Sequence, residues 1–479
     1  MRNQCPRALN RGGISKRRYF RLLSILSFLI LLLGIQPMPE AHAANIEVDT
    51  AADETNTNGF CSLREAIINA NKDDQSGSKD CAAGTGDDTI TFAASMAGET
   101  ITLAGVPLGI DGNLTITGPG ADQLTISGDN KSRVFDILSG VVTIGGVTIQ
   151  DGEALFGGGI VNEGTLTIKN SIISANRSIG AGGGIANDGN LALDDTTVTN
   201  NRALANGGGI WNLGTLTLKD STISSNTAGQ SHIDSLGGGI DNKGNLTLND
   251  STVSDNMVFG QGAGIDNSGT MEINESIIKD NEVWSGQNGG GGGIKNAGDL
   301  TVNGSTIIDN SAVGLGGGID NSGTVILNDS TISGNWTGDS GGGIYNLGNG
   351  TITDSTISSN GANYHGGGIY NDGTLNLINV TISGNDAFSN GGGICSGLWS
   401  DATTNLNNVT ISKNIADSLS NGSRDGGGIY MKHGSVHIEN SIVAGNQDKS
   451  GAGNTVHPDC SGTLTSGGYN LVQDIAGCN

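Results

Sequence analysis

The sequence predicts an all-β chain that folds as one single-stranded, right-handed parallel β-helix with three sheets. The prediction rests on composition, on a repeat of about 25 residues and on the alternation of side chains within each repeat. Of the 479 residues, 82 are Gly, 6 are Pro and only 4% are aromatic. A compact globular core needs more large apolar residues, and the Gly do not follow the G-X-Y period of collagen. A solenoid needs fewer, because each unit buries its small apolar side chains against its neighbours.

The repeat is marked by the anchor Gly-Gly-Gly-Ile. Most successive anchors are 25 residues apart, as are Ile160 and Ile185. The anchor isoleucines are Ile160, Ile185, Ile210, Ile240, Ile265 (in the variant Gly-Ala-Gly-Ile), Ile294, Ile319, Ile344, Ile369, Ile394 and Ile429. Three intervals are longer and predict loops that leave the stack at Gly229–Leu236, Val283–Gly290 and Ser396–Asp425.

Each unit contains three short alternating segments. In the unit that begins at Ile210, the inward positions are Ile210, Leu216, Leu218 and Ile223, and Gly, Asn or Asp residues separate the segments. Segments of this length with period-two alternation are typical of half-buried strands between tight corners. Because the unit is too short for a helix-containing solenoid, we expect a three-sheet coil repeated about 13–14 times.

Asn recurs at two corners of the repeat. One Asn follows the anchor Ile by two positions in nine of eleven units, departing at Ser396 and Met431, and a second, from Asn176 to Asn446, ends the third segment in all eleven. Stacked Asn side chains can form amide ladders between coils. Alternatively, Asn is present because it tolerates the left-handed backbone of a turn. Both interpretations are structural.

The pattern begins before the first anchor. Val142, Ile144 and Ile149 match the strand columns, and Val134 matches the anchor position. We therefore divide the chain into a signal peptide (1–43), an N-terminal cap (44–87), the β-helix (88–446) and a C-terminal cap (447–479).

The N-terminus is typical of a secretory signal peptide. A basic segment precedes the apolar run Leu22–Ile35, and Ala41-His42-Ala43 predicts cleavage before Ala44. The alternative, an uncleaved anchor, is disfavoured because the run is short for a bilayer span. We expect a secreted or outer-surface protein with no transmembrane segment after cleavage. The net charge of −24 argues against nucleic-acid binding, which requires a basic face.

The cysteines predict two disulfide bonds. In an oxidising compartment, Cys61 and Cys81 would pair near the start of the mature chain, and Cys460 and Cys478 near its end. Cys395 lies alone inside the repeats and is expected to be free. A metal site is disfavoured, because no CxxC or Cys/His cluster accompanies these residues.

A short helix is predicted at the N-terminal cap. Leu63, Ala66, Ile67 and Ala70 recur at helical spacing after Ser62, a suitable N-cap. Such a helix would cover the strand edges and apolar core that a β-helix exposes at its end.

Three motifs resemble known families. Residues 61–67, Cys-Ser-Leu-Arg-Glu-Ala-Ile, closely resemble the motif of the CSLREA family of secreted bacterial proteins. The segments Asp459–Gly462 and Gly468–Leu471, with Cys478, resemble an ending common in that family. The anchor and the Ile-Ser-x-Asn segment resemble, more loosely, the GGA[IVL] and FxxN repeats of chlamydial polymorphic outer-membrane proteins. The resemblance implies a pectate-lyase-like β-helix on or outside the cell and supplies no established activity.

One column of side chains carries the candidate functional residues. It comprises the residue after each anchor Ile, which should point outward because the Ile points inward, and we call it the outer column. Its members are Val161, Ala186, Trp211, Asp241, Asp266, Lys295, Asp320, Tyr345, Tyr370, Cys395 and Tyr430. We expect the aromatic members Trp211, Tyr345, Tyr370 and Tyr430 to face water and bind a glycan or protein ligand. Trp399, in the longest loop, could form one wall of a groove beside Tyr370.

The sequence contains no HExxH or P-loop motif. The leading hypothesis is therefore a surface protein with a non-catalytic adhesion, interaction or structural role. The alternative is a polysaccharide lyase or glycoside hydrolase that acts on acidic glycans through Asp241, Asp266 and Asp320, with Lys295 between them. We expect no metal site and no cofactor, with Ca²⁺ as the one ion that stacked carboxylates would favour.

Overall fold

The protein folds as a right-handed parallel β-solenoid of about 15 turns. A computed structural model describes residues 43–230, 235–285, 289–417, 425–450 and 456–479. The predicted signal peptide lies outside the described residues, except for Ala43. Within the described ranges, no helix is both long and apolar enough to cross a bilayer.

Four parallel sheets run along the solenoid among the described residues, and we number them in the order in which the chain visits them within a coil. Sheet 1 contains Leu108–Asp111, Phe135–Ser139, Ile160–Asn162, Ile185–Asn187, Ile210–Asn212, Ile240–Asn242, Ile265–Asn267, Ile294–Asn296, Ile319–Asn321, Ile344–Asn346, Ile369–Asn371, Ile394–Ser396, Ile429–Met431 and Cys460–Ser461. Sheet 2 contains Asn45–Val48, Asp88–Phe92, Leu114–Thr117, Val141–Gly145, Thr165–Lys169, Asn190–Asp194, Thr215–Lys219, Asn245–Asn249, Thr270–Asn274, Asp299–Asn303, Thr324–Asn328, Asn349–Thr353, Thr374–Ile378, Ala402–Asn407, Gly434–Glu439 and Leu464–Gly468.

Sheets 3 and 4 complete each coil. Sheet 3 contains Glu99–Thr102, Leu124–Ser127, Thr148–Gln150, Ile172–Ser174, Thr197–Thr199, Thr222–Ser224, Thr252–Ser254, Ile277–Lys279, Thr306–Ile308, Thr331–Ser333, Thr356–Ser358, Thr381–Ser383, Thr410–Ser412, Ile442–Ala444 and Leu471–Val472. Sheet 4 contains Glu153–Ala154, Arg177–Ser178, Arg202–Ala203, Thr227–Ala228, Met257–Val258, Glu282–Val283, Ser311–Ala312, Trp336–Thr337, Gly361–Ala362, Asp386–Ala387, Ile415–Ala416 and Gln447–Asp448.

The predicted β-helix is confirmed, and sheet 4 is an addition to the three sheets expected. Its strands are two residues long, which is too short for alternation to reveal them in the sequence. The number of turns also exceeds the predicted 13–14. Strand Asn45–Val48 joins sheet 2 from the expected N-terminal cap, and strands from Cys460 onward continue three of the sheets within the expected C-terminal cap.

The inward columns form one continuous apolar core. Ile210, Leu216, Leu218 and Ile223 are all fully buried, and each pairs in register with its counterparts on neighbouring coils. The pattern before the first anchor is confirmed for sheets 2 and 3. At the anchor the expected register was wrong by one residue, because Phe135, not Val134, pairs with Ile160. Both residues are buried, so hydrophobicity alone did not distinguish them.

Two buried asparagine ladders hold the corners. At the first, Asn187 Nδ2 donates to Asn212 Oδ1 at 2.7 Å. At the second, Asn201 Nδ2 donates to Asn226 Oδ1 at 3.0 Å, and the Asn201 backbone N–H donates to the same oxygen. None of the described ladder asparagines has a positive φ, whereas Ser225, which precedes one of them, has φ of 56°. The ladder interpretation is therefore confirmed over the turn interpretation.

Both predicted disulfide bonds are present. Cys61 and Cys81 lie 4.8 Å apart at Cα, Cys460 and Cys478 lie 5.4 Å apart, and Cys395 is free and buried.

The predicted N-terminal helix, α1, spans Leu63–Lys72. Ser62 caps it, with a reciprocal hydrogen bond between Glu65 and the Ser62 backbone. Leu63 and Ile67 are buried in the main core, so the helix covers the first coils as expected.

Candidate functional site

The outer column stacks in register along sheet 1. Asp241 pairs with Asp266, Asp266 with Lys295, and Tyr345 with Tyr370 on successive strands. The column lies on the side of the strands that faces away from the main core, as the alternation predicted.

The expected exposure of the column was nevertheless wrong. Asp241 and Asp320 are buried, Asp266 is only 6% exposed and Tyr370 only 1%. The remaining candidates, Trp211, Lys295, Tyr345 and Tyr430, are half-buried.

A glycine-rich turn covers the column. After each sheet 4 strand the chain turns and returns to sheet 1 through the anchor glycines. The first anchor glycine adopts a positive φ, as at Gly262 (65°), where a Cβ would lie 2.8 Å from the Asp266 Cα. At Gly290, a Cβ would collide with Asp320 Oδ2. Because glycine has no Cβ, the backbone packs directly over the column and contributes to the burial of Asp241, Asp266 and Asp320.

The acidic part of the column is a buried charge ladder. Lys295 Nζ lies 2.7 Å from Asp320 Oδ2, and Lys243 Nζ lies 3.5 Å from Asp241 Oδ2. Burial raises the pKa of Asp241 to about 6 and, together with the neighbouring Asp241 charge, raises the pKa of Asp266 to about 7. Burial also raises the pKa of Asp320, although Lys295 opposes the shift. All three carboxyl groups are buried, and two of them, those of Asp241 and Asp320, lie against lysine side chains.

The aromatic part of the column forms a second small core. The rings of Tyr345 and Tyr370 stack with centroids 4.7 Å apart and planes 9° from parallel. Tyr370 Oη donates to Asp372 Oδ2 at 2.7 Å, and Leu398 packs over Tyr370 and Cys395. Burial raises the pKa of both tyrosines above its ordinary value of 10. Tyr370 is thus a support beneath Tyr345, not an open binding face.

The longest loop only partly forms the expected wall. Trp399 is 78% exposed, and Lys432 Nζ lies 5.7 Å from its ring centroid, while the adjacent Leu398 closes the space beside Tyr370. Parts of the three predicted loops (231–234, 286–288 and 418–424) lie outside the described residues.

The first aromatic member of the column also has partners within the fold. Trp211 stacks on Phe156 with centroids 5.7 Å apart, and Lys243 Nζ lies 6.0 Å from the Trp211 ring. The ring therefore ties the covering turn to sheet 1, which is a structural role.

No three His, Cys, Asp or Glu side chains converge in metal-binding geometry within the part of the chain that the structure describes. Of the outer-column carboxylates, Asp241 and Asp320 are ion-paired with lysine, and Asp266 is buried between them.

Sequence reasoning missed the outer face of sheet 4. Phe259, Trp284 and Trp336 lie on that face, and Trp284 and Trp336 are 53% and 44% exposed. The available signal was a set of aromatic residues one or three positions after the second corner Asn, as at Trp336 and Trp284. It was overlooked because the two-residue strands that align them were not recognised.

Comparison with protein families agrees with the fold. Residues 239–408 match the family described as "Right handed beta helix region", and residues 195–213 match the "Chlamydia polymorphic membrane protein (Chlamydia_PMP) repeat". Comparison with curated proteins and with solved structures gives no match. The fold and the matched segments show a parallel β-helix protein that contains a segment similar to the chlamydial polymorphic membrane protein repeat, and the resemblance to CSLREA proteins stays a prediction.

Proposed function

We propose that this protein is an extracellular or cell-surface β-helix that acts by non-catalytic interaction, holding binding surfaces on a long rigid scaffold. The location is supported by the similarity to a membrane-protein repeat and by the two disulfide bonds, which persist in oxidising compartments. Cleavage of residues 1–43 as a signal peptide belongs to the same proposal.

The observation that carries the proposal is the burial of the acidic ladder. A glycosidase needs two carboxyl groups that reach the scissile bond, and a lyase needs an accessible base. Asp241, Asp266 and Asp320 instead lie under the glycine-rich turns, and two of them pair with lysine. The enzymatic alternative therefore receives no support from the geometry of these residues.

The rigid scaffold favours a function in which its outer surface recognises a ligand. Each coil is fixed to the next by in-register strands and by two asparagine ladders, so side chains on its outer faces are held in order before any ligand arrives. Such preorganisation reduces the entropy lost on binding. Within the outer column, Tyr345, Tyr430 and Trp211 remain the candidates for contact with a ligand.

The test compares a producing strain with a matched deletion strain, each measured for retention on a cell layer under flow. We expect retention to fall in the deletion strain and to be restored equally by the wild-type chain and by Asp266→Asn. Asn keeps the size of the buried carboxyl but removes any acid or base function. Protease treatment of intact cells should digest the chain, which checks its location.

A parallel assay addresses catalysis. The purified chain is incubated with pectate and alginate, with and without Ca²⁺, and unsaturated and reducing ends are measured. We expect no turnover. Turnover by the wild-type chain that Asp266→Asn abolishes would overturn the proposal, and so would equal retention of the deletion strain.

A further inference from the structure

The outer face of sheet 4 is the second surface of the solenoid on which aromatic residues concentrate. In each coil, two outward residues flank the buried inner residue of the strand. From the coil of Val258 to that of Ala387, the outward pairs are Met257 and Phe259, Glu282 and Trp284, Ser311 and Val313, Trp336 and Gly338, Gly361 and Asn363, and Asp386 and Phe388. We call these twelve residues the sheet 4 face.

Three large side chains of this face are open to solvent. Trp284, Val313 and Trp336 are each close to half exposed, and Tyr364, in the turn that follows the face, is equally exposed. Aromatic residues make up only 4% of the chain. Clustered apolar exposure on a soluble chain marks an interaction surface more often than it arises by chance.

The face is rigid. The Trp284 backbone N–H donates to Val258 O at 2.9 Å, and the Trp284 ring meets the edge of Phe259 with centroids 6.1 Å apart. The Trp336 indole packs onto a glycine, since a Cβ on Gly361 would lie 3.2 Å from its Cδ1. Both indoles are therefore held in place, and each keeps a solvent-facing surface.

The charges on the face select against acidic ligands. Glu282 lies beside Trp284, and Asp386 lies beside Phe388, while none of the twelve residues is Lys or Arg. A polyanion would be repelled, whereas carboxylates accept hydrogen bonds from hydroxyl groups. The core of a protein–protein interface is depleted of charged residues, which does not fit carboxylates interleaved with the aromatic rings.

We propose that the sheet 4 face binds an extended, neutral polysaccharide that runs along the solenoid axis. The apolar faces of its sugar rings stack on Phe259, Trp284 and Trp336, and its hydroxyl groups donate to Glu282 and Asp386. Five steps of about 4.8 Å give the face a length of about 24 Å, enough for several consecutive sugars. The inference rests on the proposed non-catalytic function and names the surface and the ligand class.

The test measures depletion of the purified chain from solution by insoluble cellulose, chitin and curdlan, with alginate beads as the polyanionic probe. We expect retention on at least one neutral polymer and none on alginate. The variant Trp284→Ala with Trp336→Ala should weaken the partition constant by about tenfold or more, because each ring contributes about 1 kcal/mol by stacking. Replacing both with Phe should keep most of the binding, which separates loss of stacking from loss of fold.

Tyr469→Ala is the control. Tyr469 is 92% exposed and follows the sheet 2 strand Leu464–Gly468, away from the sheet 4 face. Its replacement should leave the partition constant unchanged. The inference is overturned if no neutral polymer retains the chain, if alginate retains it equally, or if the double Ala variant binds like the wild type.

These outcomes are separable from those of the proposed function. If deletion of the chain abolishes cell retention and the double Ala variant restores it fully, the interaction role stands and the sheet 4 face is not its site. If deletion has no effect on retention, the broader proposal fails irrespective of the glycan result.

Discussion

Replacing Asp266 by Asn should stabilise the central coils at alkaline pH. Asp266 is 6% exposed, and burial raises its pKa from 3.8 to about 7, with Asp241 adding to the effect and Lys295 opposing it. Because the folded state raises this pKa, it holds the proton more tightly than the unfolded chain does. Below pH 3.8 both states are protonated and the carboxyl carries no penalty. The penalty grows as the pH rises through this interval and is complete above about pH 7.

The magnitude follows from the displacement of the pKa. Each pKa unit corresponds to about 1.4 kcal/mol, so ionised Asp266 costs the folded state about 4 kcal/mol at pH 8. Asn has nearly the same shape and cannot ionise. The variant should therefore recover up to about 4 kcal/mol at pH 8 and only about 0.5 kcal/mol at pH 4.

Hydrogen exchange followed by mass spectrometry is the suitable assay, because a solenoid opens locally and has no single unfolding transition. Peptides that span residues 236–285 should exchange up to about a thousandfold more slowly in the variant at pH 8, and at most about threefold more slowly at pH 4. Asp299→Asn, an exposed change on the neighbouring coil, serves as the control and should have no effect. If the Asp266 variant exchanges as fast as the wild type or faster at pH 8, the argument that Asp266 is a buried carboxyl with a raised pKa is refuted. An equal gain in the control would assign the effect to net charge.

Three further predictions concern the scaffold. Ile223→Asp places a carboxylate in the apolar core at a cost of several kcal/mol, so hydrogen exchange should become faster in residues 182–258 and stay unchanged at both ends of the solenoid. Unchanged exchange in residues 182–258 would contradict the inward position of Ile223. Asn281→Ala removes the side-chain oxygen that accepts two hydrogen bonds from Asn256, so the local stability of this coil should fall by about 3 kcal/mol or more. Hydrogen-exchange protection of the coil equal to that of the wild type would show that the ladder is dispensable. Replacing Cys460 and Cys478 by Ser removes a disulfide bond that stabilises the fold by about 3 kcal/mol, so limited proteolysis should remove the last turn and leave the central coils intact. Cleavage that begins in the central coils would argue against a local role for this disulfide bond.

The sequence was sufficient for the fold because the same local rule repeats in every unit. Alternation placed Ile210, Leu216 and Ile223 inward, and each was confirmed by in-register pairing with the next coil. The error at Val134 shows the limit of the rule. Where the triple-glycine marker is missing, two adjacent buried residues are equally good candidates, and only the backbone pairing of Phe135 with Ile160 decides between them.

The burial of the candidate site was not predictable by the same rule. Alternation states which side of a strand a residue occupies, and it correctly placed Asp266 and Tyr370 away from the main core. Whether that side meets water depends on a third element, the turn that returns from sheet 4. The sequence does contain its signal, since a residue without a Cβ at Gly262 permits a backbone to lie against the column. That signal was not interpreted as a covering backbone, because the strand that precedes the turn was not recognised.

The same missing strand explains why the aromatic residues of sheet 4 were overlooked in the sequence. The turn that follows sheet 4 covers Tyr370, and the sheet 4 strands place Trp284 and Trp336 on the outer surface. The same part of the coil therefore buries one aromatic residue and exposes two others. Because the chain contains few aromatic residues, few of its surface positions can form a large apolar contact with a partner. Rings that stack inside the fold, as Tyr345 does on Tyr370, contribute to its stability, and those that remain half exposed on a rigid strand are available for recognition. The sheet 4 face is therefore a stronger candidate for ligand contact than the column that the repeat first indicated.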